Sequence, residues 1–493
     1  MDMQTLLFFT LCLPFATAAI LWFTPKNLGL LNTFHVLGSL ITSLVALSAV
    51  SHVIGGESFY LFNKLFFLDP IGGVFLTLIA VIGFLINLYS VKYMQWELES
   101  GHITINEVKL FYVLSHIFVF TMIFSIISNN IALMWAGIEA TTLSSLFMVA
   151  LYKNKRATES GWKYIIICSV GLAFALYATV LMYGAGFNVI KDGHDAMLWS
   201  SLMENAKLLN PDALKLVFIF ALIGFGTKAG LAPMHTWLPD VHSEGPSPAS
   251  AFLSAVLLKC ALAAIIRYYS IVTHSTLGSS FVETLMVIVA LLSIFIAALF
   301  ILKQRDIKRM FAYHSVEHVG IIAFGFGIGG PLGVFAGLFH TMAHSLSKAL
   351  AFCVSGNIIK IYGTRDMGKM GGLIRVNPLN AVLFGTAVAS LIGIPLLAVF
   401  VSEFLMIKSG LSADKYIQIA LFIIGLAIIF IAVLMHFNEV VFGKVRGEVK
   451  TEKIEANANI PLIVFAVLIV ALGIYVCPQW FELLQNATKI ILA

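Results

Sequence analysis

The chain has 493 residues, 60% of them hydrophobic and 11% charged, with mean hydropathy +0.96 and a formal net charge of +5. A soluble domain carries about 25% charged residues, so a soluble globular fold is excluded and the class is all-α, a polytopic helical membrane protein. The five cysteines (Cys12, Cys168, Cys260, Cys353, Cys477) sit far apart in apolar stretches, which excludes a disulfide framework and a Cys-based metal site.

Apolar runs of roughly 18–25 residues fall near 3–23, 29–53, 69–91, 111–128, 131–151, 164–186, 214–237, 248–270, 282–302, 310–328, 333–359, 380–407, 417–441 and 460–477, about fourteen helices. The first ends near the small residues Ala16-Thr-Ala-Ala, but the start Met-Asp-Met lacks the positive charge of a signal peptide, so it reads as a retained span. With fourteen spans, one set of loops holds nineteen Lys/Arg, Lys308, Lys450 and Lys453 among them, and the other only eight, Arg267 included. The positive-inside rule then puts both termini on the outer face of a cytoplasmic (inner) membrane. The +5 charge thus reports topology, and no nucleotide loop, catalytic triad or nucleic-acid signal is present. The longest polar gap, about 186–215, is a modest outer loop. No segment offers a soluble home for a cofactor or metal, so none is expected on this chain.

Two spans are broken by Gly and Pro beside a charge: Gly224-Phe-Gly-Thr-Lys228-Ala-Gly-Leu-Ala-Pro233 and Gly393-Ile-Pro395 leading to Glu403. Interrupted segments at matching places in two halves point to a transport site. Here they are the fourth helices of two five-helix units, 111–270 and 282–441, preceded by a three-helix segment (1–110) and followed by a C-terminal loop and last helix (442–493). Odd-length units in series have opposite membrane orientation, an inverted repeat. Two ordinary proline kinks are the competing reading.

Six ionisable residues interrupt apolar stretches: Glu139, Lys228, Lys259, Glu317, Lys348 and Glu403. An ammonium at membrane depth costs at least about 2.5–3.5 kcal/mol on insertion scales, and such groups usually mark an ion path. Glu139 needs a cation or it stays protonated. Lys228 is the natural partner, in a pair that holds a proton when closed and releases one when opened, or that merely fixes two helices. Lys259 is a relay lysine if desolvated, or it snorkels to an interface. His340, His344 and Lys348 share one helix face. They read as a wetted relay stripe or as packing histidines; no third ligand at a convincing spacing supports a metal. Glu403 is a candidate terminal acid exchanging protons with the outer face. His235, Asp240, His242 and Glu244 form either an inlet funnel or a polar loop, and Glu317 begins a span, in a capping, interfacial or relay role.

At these residues the chain resembles the antiporter-like membrane subunits shared by respiratory complex I, Mrp-type sodium/proton antiporters and group 4 hydrogenases. The resemblance rests on Lys228-Ala-Gly-Leu-Ala-Pro-Met-His-Thr-Trp-Leu-Pro-Asp-Val-His-Ser-Glu-Gly-Pro-Ser-Pro-Ala-Ser-Ala, Gln304-Arg-Asp-Ile-Lys-Arg-Met-Phe-Ala-Tyr-His-Ser, His340-Thr-Met-Ala-His-Ser-Leu-Ser-Lys-Ala-Leu-Ala-Phe and Val401-Ser-Glu-Phe, and covers about 111–442. It implies fourteen helices, an inverted pair of five-helix units, and a hydrated charged axis. On that axis Glu139 is the pairing acid, Lys228 the central lysine and Lys259 the connecting lysine. Glu403 argues against the distal complex I type, as does the chain's end soon after the last span. The run Ser315-Val-Glu-His-Val-Gly looks like hydrogenase 4 component F; lysine at 259 departs from many hydrogenase-type relatives and keeps the complex I middle subunit as a rival.

The expected function is therefore proton translocation within a multisubunit redox complex. The iron–sulfur clusters and the nickel-iron or flavin groups would sit in peripheral partner subunits, beside other antiporter-like membrane subunits in the bilayer. An Mrp-type sodium/proton antiporter subunit is the alternative.

Overall fold

The computed structural model describes residues 2–446 and 456–492; Lys450 and Lys453 lie outside them. In chain order the elements are α1 (Met3–Phe23), α2 (Leu28–Ser51), a hairpin of β1 (Phe59–Leu61) and β2 (Phe66–Leu68), α3 (Pro70–Glu99), α4 (Ile105–Ile127), α5 (Ile131–Val149), α6 (Lys155–Ile190), α7 (Trp199–Glu204), α8 (Pro211–Ala229), α9 (Trp237–Glu244) and α10 (Ser247–Phe252). They continue as α11 (Leu258–His274), α12 (Ser280–Ile301), α13 (Ile307–Ile328), α14 (Gly330–Tyr362), α15 (Leu373–Val376), α16 (Pro378–Leu391), α17 (Ala398–Ser412), α18 (Tyr416–Phe442), α19 (Ala456–Ile474) and α20 (Pro478–Leu492). Among the described residues ten helices are long and apolar enough to cross a membrane, eleven if the last two, bent by 72° at their junction, count as one span. The molecule is thus a polytopic helical membrane protein. Every predicted apolar run coincides with a helix or a broken helix pair.

Local chemistry explains the boundaries. Asp69 caps α3 by accepting from Gly72 N at 2.8 Å, with Pro70 in the first turn, where its missing N–H loses nothing. Thr104 and Glu107 form a capping box at the start of α4. Glycines set the closest helix approaches: a Cβ on Gly224 would strike Ala175, and one on Gly171 would strike Thr227, so α6 and α8 touch backbone to backbone.

Both predicted breaks are real. α8 ends at Ala229, with Gly230 at φ +84° capping it, and the chain resumes helically at Met234. The second pair, α16 and α17, is separated by residues 392–397, where Gly393 has φ +69° and Leu396 +75°.

Three corrections concern the fold. The all-α expectation misses the small β1–β2 hairpin, whose Phe59–Leu68 pairing is built from residues apolar enough to read as span flank. The 186–215 loop is in part helical: α6 runs to Ile190 and α7 follows. The last helix near 460–477 is followed by a further helix, α20, which buries Leu483, Leu484, Ala487 and Ile491.

Candidate functional site

Lys228 lies in the last turn of α8, at the lip of the break, and is fully buried. Its Nζ donates to Thr142 Oγ1 of α5 at 2.7 Å and to Tyr164 OH of α6 at 2.6 Å, and stands 4.6 Å from the Tyr164 ring centroid. Tyr164 OH in turn meets Ser145 Oγ at 2.8 Å. The expected Glu139–Lys228 ion pair is not formed. Glu139 is half-buried; its Oε1 accepts from Ser169 Oγ at 3.0 Å, and its Oε2 has no partner. The reason is positional: Thr142 follows Glu139 by three residues on the same face of α5, and two hydroxyls take the ammonium one turn away from the carboxylate.

Lys259 is buried near the start of α11, just after a π-helical turn, Leu253–Leu257. Its ammonium donates to the Ser254 carbonyl within that turn. A π-turn disturbs the regular i→i−4 ladder, and here one of its carbonyls serves a lysine. Ser254 Oγ also meets Ser315 Oγ at 2.7 Å, which ties this turn to α13. Lys259 therefore does not snorkel. No hydrogen bond or ion pair links Lys228 to Lys259 directly.

The histidine stripe of α14 is completed by α13. His318 Nδ1 meets His340 Nε2 at 2.9 Å, and His340 Nδ1 meets Ser402 Oγ of α17 at 2.8 Å. His344 stacks on His318 with ring centroids 4.6 Å apart, and Lys348 Nζ donates to Phe311 O at 2.7 Å. His314 Nδ1 lies 2.7 Å from Glu317 Oε2. All these residues are buried. Glu317, expected at the start of a span, sits in the middle of α13 because that helix begins at Ile307; it belongs to the buried cluster and to no interface.

Glu403, in the second turn of α17, is 8% exposed, and its carboxylate lies against Gly393 of the break. The Cβ of any other residue at 393 would collide with that carboxylate, at a positive φ that only glycine adopts without strain. Gly393→Ala is expected to displace the Glu403 carboxylate while the chain still folds; an experimental structure of the variant checks it.

The residues flanking the first break divide. Asp240 pairs with Lys163 at 3.2 Å and with Arg309, and Glu244 with Arg365 at 3.1 Å, in partly exposed positions. His235 and His242 are buried; His242 stacks on Phe352 at 4.8 Å with both ring nitrogens unpartnered. Beside Glu244 a polar cavity of about 580 Å³ opens, lined by Tyr93, Glu97, Ser247, Lys308 and Arg365.

Residues 128–429 match the family model described as "NADH:quinone oxidoreductase/Mrp antiporter, TM", and residues 62–100 match "NADH-Ubiquinone oxidoreductase (complex I), chain 5 N-terminus". The chain belongs to this family of antiporter-like membrane subunits. It is 38% identical over 443 residues to a "Hydrogenase-4 component F homolog" of Methylacidiphilum infernorum (isolate V4), covering 88% of this chain and 92% of that one. The same fold occurs in a chain of the membrane-bound sulfane sulfur reductase, an archaeal respiratory membrane complex (TM-score 0.86, 24% identity, 99% of this chain and 97% of that one). It occurs again in the Mrp complex from Dietzia sp. DQ12-45-1b (TM-score 0.87, 19% identity, 100% of both chains).

Three buried polar groups of this antiporter-like subunit escaped sequence reasoning. Arg267, counted among loop cations, is buried and makes two 2.6 Å bonds to Asp69. Lys308, counted the same way, is buried with its ammonium on the Gly245 carbonyl. His35 and His116 meet at 3.1 Å between α2 and α4, with Ser90 Oγ 3.0 Å from the other His35 nitrogen. Arg267 and Lys308 stand near the ends of their apolar runs, where lysine and arginine ordinarily reach water. For Asp69 a signal existed: an acid directly before proline and an apolar run is a helix-start pattern.

Proposed function

We propose that this chain is the proton-translocating membrane subunit of a multisubunit redox complex, of the hydrogenase 4/formate hydrogenlyase type or the complex I type. Electron transfer in peripheral partner subunits, which carry the iron–sulfur clusters and nickel-iron or flavin groups, drives protons along this chain's own groups. The observation that carries this reading is a set of buried titratable residues from α8, α11, α13, α14 and α17, with half-buried Glu139 of α5 beside them, spread over two broken helices and the helices between.

In this reading protons reach the polar cavity beside Glu244 and Lys308 from the cytoplasm, with His242 behind it. Lys228 is the central exchanging group, and Glu139 sets its field from one turn away. Lys259, His344, His318, His340 and Lys348 pass the charge on, and Glu403 delivers it to the outer face. The buried nitrogens left unpartnered on His242, His314 and His344 are the places where water completes the route, since buried polar atoms require a partner. Moving one charge against 100 mV costs about 2.3 kcal/mol, so the partners supply the energy.

The same reading takes α13, α14 and the α16–α17 pair as spans beside the apolar ones, which gives fourteen. It also takes 111–270 and 282–441 as inverted units between the 1–110 and 442–493 segments, and sets both termini on the outer face of the cytoplasmic membrane. The second reading, an Mrp-type sodium/proton antiporter subunit, is favoured by the family match to Mrp proteins.

Co-purification with redox subunits, followed by donor-driven proton movement in vesicles, separates them. The redox reading expects pH change on electron-donor addition in sodium-free buffer, abolished by a protonophore. Sodium/proton exchange without an electron donor supports the antiporter reading instead.

A further inference from the structure

The geometry points to a binding site for a divalent ion of the zinc class, built by His314, Glu317 and His318 on one face of α13 and completed by His344 of α14. His-x-x-x-His on α14 alone lacks a third ligand; the neighbouring helix supplies three candidates. One ligand atom from each of His314, Glu317 and His318 lies within 4.8 Å of the others. Residues i, i+3 and i+4 share a helix face, and His344 stacks 4.6 Å from His318.

The state of the donor atoms argues for a ligand. Nε2 of His314, Nε2 of His318 and both nitrogens of His344 are buried without a hydrogen-bond partner, while His314 Nδ1 and Glu317 Oε2 lie 2.7 Å apart. His318 Nδ1 is held by His340, itself held by Ser402. That is the outer-shell arrangement that orients a ligating histidine and leaves Nε2 for the ion. Three imidazoles and one carboxylate suit a tetrahedral zinc-class ion with ligands at about 2.0–2.2 Å. They do not suit magnesium or calcium, which take oxygen ligands. Glu317 offsets one positive charge, while Lys259 and Lys348, whose ammonium groups act on these histidines, oppose the ion. Affinity is therefore below that of a structural zinc site. Because His344 also stands on the proposed proton route, an occupied site blocks transfer, a consequence that rests on the proton-translocation reading.

Zinc binding to the full-length, metal-free chain in detergent, measured against a chromophoric chelator, tests the site itself. One ion per chain is expected, with X-ray absorption showing imidazole scattering in four-coordinate geometry. His318→Gln and His344→Gln are each expected to weaken binding by more than about tenfold, since even outer-shell changes weaken metal sites 10–100-fold. Melting of the metal-free variants near the wild-type temperature confirms their folding, and either variant suffices if the other misfolds. Absence of saturable binding overturns the proposal, as does binding of equal strength in folded variants, which locates the ion at exposed histidines such as His52 or His102. Proton flux in metal-free protein reports separately on the proton-translocation reading.

Discussion

Lys228→Ala is expected to stop redox-driven proton movement, by roughly 10²–10⁴-fold, the contribution of a positioned acid–base group, while the complex still assembles. The lysine is buried and held only by the hydroxyls of Thr142 and Tyr164, so its loss removes a desolvated charge and should not unfold α8. Lys228→Arg is the sharper test. A guanidinium preserves the charge but does not release its proton in proteins, so pumping should fail here too. Flux in vesicles at the wild-type rate for either variant would refute the role. Thr142→Val, which removes one of the two hydroxyls but no charge, is expected to alter the rate by a smaller factor.

The largest effect on stability is expected at Arg267. Its guanidinium makes a two-bond contact with Asp69 and lies 4.7 Å from the Phe67 ring and 4.2 Å from that of Trp199. Arg267→Ala leaves a buried carboxylate unpaired, which destabilises by about 3–5 kcal/mol. Asp69→Asn keeps the cap on Gly72 but strands the arginine, and should be nearly as harmful. The double variant Asp69→Asn/Arg267→Met removes both charges and is expected to recover most of the loss. Thermal unfolding in detergent reads all three; an Arg267→Ala protein melting like wild type would show that the pair contributes nothing.

How much was legible in advance follows from where the physics is local. Span-length apolar runs predict helices well because the bilayer leaves few alternatives, and each run coincides with a helix or a broken pair. Gly and Pro beside Lys228 and ahead of Glu403 located both breaks, since those residues act on their own backbone. The i, i+4 spacing set His340 and His344 on one face. What failed depended on partners distant in sequence. Glu139 and Lys228 have complementary charges, but Thr142 and Tyr164 compete for the ammonium. Glu317 reads from the sequence as the start of a span, in a capping, interfacial or relay role, because the charges at 303–309 suggest a helix start about one turn late. The π-helical turn that seats Lys259, and the meeting of His318 with His340, have no local sequence signature.

The most direct test of a continuous buried path is an experimental structure of the assembled complex at a resolution that resolves ordered water. Water is expected between Lys228 Nζ and Lys259 Nζ, which no hydrogen bond joins, and against the unpartnered nitrogens of His242 and His344, joining the polar cavity beside Glu244 to Glu403. A dry, apolar-packed gap between the two lysines in every functional state would contradict proton transfer along this route.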